Sequence, residues 1–166
     1  MPSPPAPEAF FLKQDGGQRL CVLHESSAPA RACAVFVHGF AEEMNKSRRM
    51  ITLQARALAN AGCAVLTIDL RGCGDSSDLL SDVRWNDWID DVQLAMNWLK
   101  RRHPHAVCWL WGLRAGCLLV SAAAARRSGF QPLLLWQPLT SGKPLVQQLL
   151  RLKVAAHIGD AAATKA

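Results

Sequence analysis

The chain has 166 residues, half of them hydrophobic and 19% charged, with a formal net charge of +6. This is a globular composition for one domain with enough apolar residues for a core, and it excludes disordered, collagen-like and disulfide-scaffold classes. No apolar stretch reaches about 18 residues without a charge, so no membrane insertion is expected; the basic residues form short clusters, most of them near predicted helix ends, without an aromatic–basic stripe, so no nucleic-acid partner is expected.

Residues 1–8 are Pro-rich and read as a flexible leader, lacking the basic start and apolar core of a signal peptide. Ala9 to Lys13 and Arg19 to His24 are strand-like, joined across Gln14–Gln18 by hairpin chemistry. Ala32 to Val37 is a continuous apolar run suited to a central parallel strand. His38-Gly39-Phe40 ends it, and 41–46 reads as loop. Ser47 is placed to cap a helix from Arg48 to Ala61, with Met50, Leu53, Ala57, Leu58 and Ala61 near helical spacing and Gly62 as its stop. Ala64 to Ile68 is a second buried strand, followed by the Gly-rich loop Asp69 to Ser76.

Trp85 to Arg102 has the clearest helical stripe, through Trp85, Trp88, Ile89, Val92, Met96 and Leu99. That spacing reads its tryptophans, Trp98 included, as core packing rather than a ligand box. Asp87, Asp90 and Asp91 occupy the half where carboxylates suit the helix dipole. Ala106 to Trp111 is a third strand, Gly116 to Ala125 a buried helix, and Pro132 to Trp136 a fourth buried strand. The alternation predicts an α/β fold: a parallel sheet with right-handed crossovers, an antiparallel hairpin at its N-terminal edge and helices on both faces. The domain reading is 9–142, with 143–166 the start of a further, lid-like region and a tail: Lys143 to Ala156 reads as an amphipathic helix and Ala155 to Ala166 as tail.

Six cysteines, at 21, 33, 63, 73, 108 and 117, form no Cys-x-x-Cys pair and no zinc spacing with histidine. Buried thiols in a reducing compartment are expected, with no metal and no cofactor; the cytoplasm is the default location.

Three motifs fall at the C-terminal ends of successive parallel strands, where α/β sheets place their sites. They are His38-Gly39-Phe40, Asp69-x-Arg71-Gly72-x-Gly74-x-Ser76, and Gly112-x-Arg114-x-Gly116. The last is a strand, a sharp Gly-x-X-x-Gly turn and a helix, which is the shape of a nucleophile elbow, with Arg114 where Ser, Cys or Asp would stand. A guanidinium has no lone pair to attack with and stays protonated.

In this order the motifs resemble the α/β-hydrolase superfamily over about 9–138. His38 to Met50 and Trp111-Gly-Leu-Arg114 resemble more closely the second hydrolase type associated with the exosortase A system, a group tied to exopolysaccharide production and protein sorting; Arg at the elbow is similar to that group's own pattern. The resemblance implies oxyanion-hole donors at the backbone of Phe40 and Ala115, and an ester- or acyl-bond substrate. It also implies a triad acid and histidine on strands after a lid. Nothing after Pro138 resembles those strands, and His157 follows no strand, so the chain reads as ending near the start of the lid region.

The site expected is therefore Arg114, Phe40, Ala115 and His38, with Gly39 and Arg71 contributing to ligand binding. Each has a plainer reading as well. His38 is structural; Asp69 and Arg71 pin their loop through mutual and backbone hydrogen bonds; Arg114 pairs with Asp69 or another acid. Cys73, Ser76 and Ser77 have no visible base partner. Cys117 is either a thiol with a pKa lowered by the helix start and Arg114, or a small buried hydrophobe. Lys46, Arg48 and Arg49 frame a pocket or simply start a helix. Two functions stay open: hydrolysis of an ester or acyl bond without the usual nucleophile, and non-catalytic binding of an anionic ligand or a partner. An uncovered edge at 132–136 would leave the chain open to self-association.

Overall fold

The computed structural model describes residues 4–147, 150, 151 and 154. Its sheet has six strands: β1 (Glu8–Gln14), β2 (Gly17–His24), β3 (Ala32–Val37), β4 (Cys63–Ile68), β5 (Val107–Leu113) and β6 (Leu133–Trp136). Their order across the sheet is β1-β2-β4-β3-β5-β6. β3, β4, β5 and β6 are parallel, and β1 and β2 pair antiparallel at one edge. Three helices cross between the parallel strands: α1 (Glu42–Asn60), α2 (Trp85–Arg102) and α3 (Gly116–Ala125). The expected α/β architecture is the observed one.

Local chemistry accounts for the connections. Asp15 and Gly16 both take positive φ, 50° and 75°, which closes the β1–β2 hairpin with the right twist. Gly62, at φ 87°, ends α1. The Asp87 carboxylate accepts the Arg84 N–H at 2.7 Å and closes the start of α2. At the far end of α3, Arg126 donates to Asp90 and Asn86, and Arg127 to Gln93 and Asn97, tying α3 to α2.

The core has two layers. On one face α2 and α3 pack Val92, Met96, Leu99, Leu119 and Val120 against Val35, Leu66 and Leu110. On the other, α1 sets Ile51 and Ala55 on Phe36, Val65 and Trp111. Phe36 and Trp136 flank the Trp111 ring with centroids at 4.7 and 4.6 Å.

Several expectations need correction. Helix α1 starts at Glu42, so 41–46 is not a loop, and Ser47 is interior, its hydroxyl donating to the Met44 carbonyl. Ala41 reverses the chain at φ 52°, and Glu42 and Glu43 supply the acidic first turn. The buried stripe of α1 is Met44, Ile51, Ala55 and Ala59, while Met50 and Leu53 face outward. β6 is only half-buried, with Leu134 and Leu135 exposed. In the region read as one amphipathic helix, residues 142–147, 150, 151 and 154 are helical, and the rest, with the tail, lie outside the described residues.

Candidate functional site at the elbow

The end of β5 runs into α3 through a turn that only glycine permits. A Cβ on Gly112 would lie 2.7 Å from the backbone of Cys117, and one on Gly116 would press into the carbonyl groups of Val37 and His38. Helix α3 therefore starts directly against the end of β3. Arg114 stands at the apex with φ 53°, held there by its N–H, which donates to the Trp136 carbonyl at 2.9 Å. A bulky residue in this conformation is strained and persists because its surroundings hold it.

Around the apex some backbone N–H groups are engaged within the turn and others are not. Ala115 is the residue before α3, and the N–H groups of Cys117 and Leu118 already bond back to Arg114 and Ala115. Among the described residues, the N–H groups of Phe40 and Ala115 donate to no backbone carbonyl. Helix starts of this kind favour anions.

The Arg114 side chain does not reach Asp69. Its Nε donates to Oε1 of Glu43 at 3.1 Å, with both side chains about a third exposed. The second Glu43 oxygen is buried without a hydrogen-bond partner among the described residues, packed over Gly39. Glu43 is the site residue that sequence reading missed. Two acids one residue beyond His38-Gly39-Phe40, Glu42 and Glu43, were its signal, since a helix start there would turn one of them back toward the strand ends.

His38 is buried. Its Nδ1 donates to the Gly39 carbonyl at 2.6 Å and its Nε2 accepts the Leu70 N–H at 3.3 Å. Burial pushes its pKa down, against the Gly39 hydrogen bond and the Asp69 charge, which pull it up. Both nitrogens are thus occupied in bracing the ends of β3 and β4.

The 69–76 loop is pinned differently from expectation. Asp69 accepts from Arg48 at 2.7 Å, not from Arg71. Arg71 pairs with Asp78 at 3.2 Å and gives its N–H to Asp91 at 2.7 Å, so its guanidinium is directed to the loop, not to the elbow. Ser76 bridges the Asp69 carbonyl and the Leu20 N–H, and Ser77 accepts from Gln18, so both hydroxyls staple the loop to β2. Asp91 is itself fully buried and paired with Arg19 at 2.6 Å. Burial raises the Asp91 pKa, although the Arg71 N–H and Arg19 both pull it down.

Of the α2 tryptophans, Trp88 and Trp98 pack against the core as expected, and Trp85 does not. Trp98 packs on Phe10, whereas Trp85, in the first turn of α2, is 41% exposed. There Trp85 and Trp88 join Phe40, Ala115, Leu118 and Leu145 around an almost wholly apolar cavity of about 580 Å³. Trp88 stacks on Phe40 at 4.6 Å and donates its indole N–H to the Arg71 carbonyl at 2.8 Å. Arg71 thus acts on the cavity wall through its backbone.

All six thiols are free. The Cys117 thiol donates to the Gly112 carbonyl at 3.1 Å, and burial pushes its pKa up, outweighing the hydrogen bonds that would lower it. Cys73 is pushed up to about 11 by burial and by Asp69 and Asp91. Lys46 is an exposed partner of Glu42. His157 lies outside the described residues. Among the described residues no three His, Cys, Asp or Glu side chains converge to hold a metal, and no helix is long and apolar enough to cross a membrane.

Comparison with known proteins adds to this geometry. The family model described as serine aminopeptidase, S33, matches residues 28–164. No curated protein matches the sequence. Among solved structures, Est1E from Butyrivibrio proteoclasticus with ferulic acid bound is 23% identical, with a TM-score of 0.63 over 70% of this chain and 47% of that one. A thermostable carboxyl esterase from Bacillus coagulans is 18% identical, with a TM-score of 0.64 over 78% of this chain and 44% of the esterase. A lidless α/β serine hydrolase from Xanthomonas campestris is 22% identical, with a TM-score of 0.61 over 81% of this chain and 72% of its own. At these identities the likeness is one of fold, and the chain spans about half the length of the first two structures.

Proposed function

Because the chain belongs to the serine aminopeptidase S33 family of α/β-hydrolases, we propose that it binds a small molecule bearing a carboxylate or acyl group at the elbow and does not cleave it. The observation that carries this reading is Arg114 at the apex, φ 53°, its guanidinium engaged by Glu43. An arginine cannot attack an acyl carbon, so covalent triad chemistry has no starting atom there. The binding half of the apparatus is retained: the ligand oxygen would lie on the N–H groups of Phe40 and Ala115 beside Arg114, and its apolar part in the cavity of Trp85, Trp88 and Leu118. Gly39 lets Glu43 lie close to this cradle, and His38 and Arg71 support its walls.

The resemblance of His38 to Met50 and of Trp111 to Arg114 to the second hydrolase type of the exosortase A system supports a role in exopolysaccharide production or protein sorting, from the cytoplasmic side. A second reading, hydrolysis of an ester or acyl bond, draws on the family and on the intact oxyanion donors.

Calorimetry with octanoate and decanoate on wild type and Arg114→Ala, alongside a chromogenic short-chain ester, separates the two. The expected result is carboxylate binding that weakens at least about tenfold in Arg114→Ala, with no ester turnover. Turnover, or serine labelling by a fluorophosphonate, would establish the second reading. Binding equal in both proteins, or absent from both, would remove the first.

A further inference from the structure

Helix α1 covers β3 and β4 but leaves the outer strip of that sheet face, along β2, as a trough. Two cavities of about 220 and 280 Å³ open in it and share Pro7, His24 and Arg56. They lie on the side of the sheet where α1 packs, whereas the elbow cavity is lined by residues of α2 and α3, so the trough shares no lining residue with it.

His24 is 4% exposed, yet its ring has no hydrogen-bond partner among the described residues and borders both cavities. The His24 ring nitrogens are not among the fully buried atoms that lack a partner, so they are open to a group that enters from outside. Arg56, on the exposed rim, belongs to no ion pair among the described residues. The other charges at the trough are already matched: Arg48 holds Asp69 at 2.7 Å, and Arg102 and His103 hold Glu25 at 2.8 and 3.2 Å. One positive charge is left over, above a neutral ring. Burial, and secondarily the Arg56 charge, push the His24 pKa down, so the ring offers one N–H and one lone pair at neutral pH. The remaining wall is mixed: Val22, Phe36 and Ile51 give it an apolar patch, beside the hydroxyls of Ser47, Thr52 and Thr67.

We propose that this trough is a second ligand site, independent of the elbow, for a small monocarboxylate with an apolar body, such as a single-ring aromatic acid. Arg56 takes the carboxylate in a forked contact, His24 supplies the second donor, and Val22, Phe36 and Ile51 take the ring.

The probe is benzoate, followed through the ring resonances of the histidines by NMR, with His24→Gln identifying the His24 signal. Benzoate is expected to move that signal saturably in wild type. Arg56→Ala, at an exposed helix position that folding does not depend on, should weaken the effect at least about tenfold. Arg114→Ala should leave it unchanged, which separates this site from the elbow. Benzyl alcohol, with the ring but no carboxylate, and acetate, with the carboxylate but no ring, should each bind far more weakly. An unmoved His24 signal would mean that only water fills the trough. An equal effect in Arg56→Ala, or phosphate binding as tightly as benzoate, would equally overturn the proposal.

Discussion

Glu43 and Arg114 face each other across the top of the sheet, Oε1 to Nε at 3.1 Å, 71 residues apart in the chain. A carboxylate from the protein itself thus lies where an anionic ligand of Arg114 would lie. The ligand must compete with it, and the rest of the Glu43 carboxylate is buried against Gly39, the residue before Phe40.

Removing that competing charge should therefore raise affinity. Glu43→Gln keeps the shape and one acceptor for Arg114 but no negative charge. Octanoate should bind about 3- to 10-fold tighter to Glu43→Gln than to wild type by calorimetry, while the unfolding midpoint moves by less than about 1 kcal/mol, as for other partly exposed ion pairs. Unchanged affinity would show that Glu43 does not occupy the ligand's place.

The elbow glycines should be indispensable for folding. Gly116→Ala places a methyl group against backbone carbonyls, 2.7 Å from that of His38 and closer to that of Val37, and neither can rotate away. The cost should be about 3 kcal/mol or more, at the upper end for forced overpacking. Gly142→Ala, where a Cβ would meet nothing within 4 Å, should change stability by less than about 0.5 kcal/mol. Urea midpoints of the two variants give the comparison, and near-equal values would mean that the elbow can open cheaply.

What the sequence displayed, and what it concealed, follows from how far each feature reaches along the chain. Strands β3 and β5 are legible because buried parallel strands are unbroken apolar runs, and the elbow because close backbone approach demands glycine at 112 and 116. The start of α1 was not, because its buried face is built mostly from alanine while the larger Met50 and Leu53 point outward. The partners Glu43–Arg114 and Arg19–Asp91 were not either, since no local period encodes a contact between residues 71 or 72 apart. A trace of the second pair is nevertheless present. Asp91 stands three residues after Trp88 on the inward stripe of α2, and Arg19 alternates with Cys21 and Leu23 on the inward face of β2. A charge on each buried face calls for the other.

That buried pair gives a sharp asymmetry. Asp91→Ala strands the Arg19 guanidinium, which is 0% exposed, and also leaves the Arg71 N–H without its acceptor. It should cost about 3–5 kcal/mol. The double variant Arg19→Met/Asp91→Leu removes both charges and should recover most of this, leaving the penalty of one unpaired N–H, about 1–3 kcal/mol. Urea titrations of the three proteins measure it. Equal losses in the single and double variants would show that the cost lies in packing, not in the stranded charge.

Stability should fall between pH 7 and pH 5. His24 and His38 both have pKa values pushed down in the folded state, chiefly by burial. Such groups favour the folded state above the ordinary histidine pKa, and that stability is lost as pH drops through it, because the unfolded chain takes up protons that the folded chain refuses. The slope is at most about 1.4 kcal/mol per pH unit for each histidine. His38→Gln should make the dependence shallower. Asp91, with its pKa raised by burial, acts in the opposite direction at lower pH, where protonation favours the folded state. A urea midpoint flat from pH 7 to pH 5 would contradict the neutral assignment of both rings.

The chain should also self-associate, and the structure indicates through which surface. β6 is the last strand of the sheet among the described residues, so its outer N–H and C=O groups have no strand partner there. Beside it, Val107 and Trp109 of β5 share a face with Trp111, which is paired in register with Leu134. Val107 is 55% exposed, Trp109 39% and Leu134 37%. An open edge next to an apolar face is the arrangement that favours pairing with a second copy. Leu134→Lys places a charge in that face without touching the elbow or the α2–α3 layer. The 166-residue chain should sediment as dimers or larger species at tens of micromolar, and Leu134→Lys should shift it toward monomer with ligand binding at the elbow unchanged. A monodisperse wild-type monomer at that concentration would show that the face is covered in solution. An oligomer insensitive to Leu134→Lys would place the contact elsewhere.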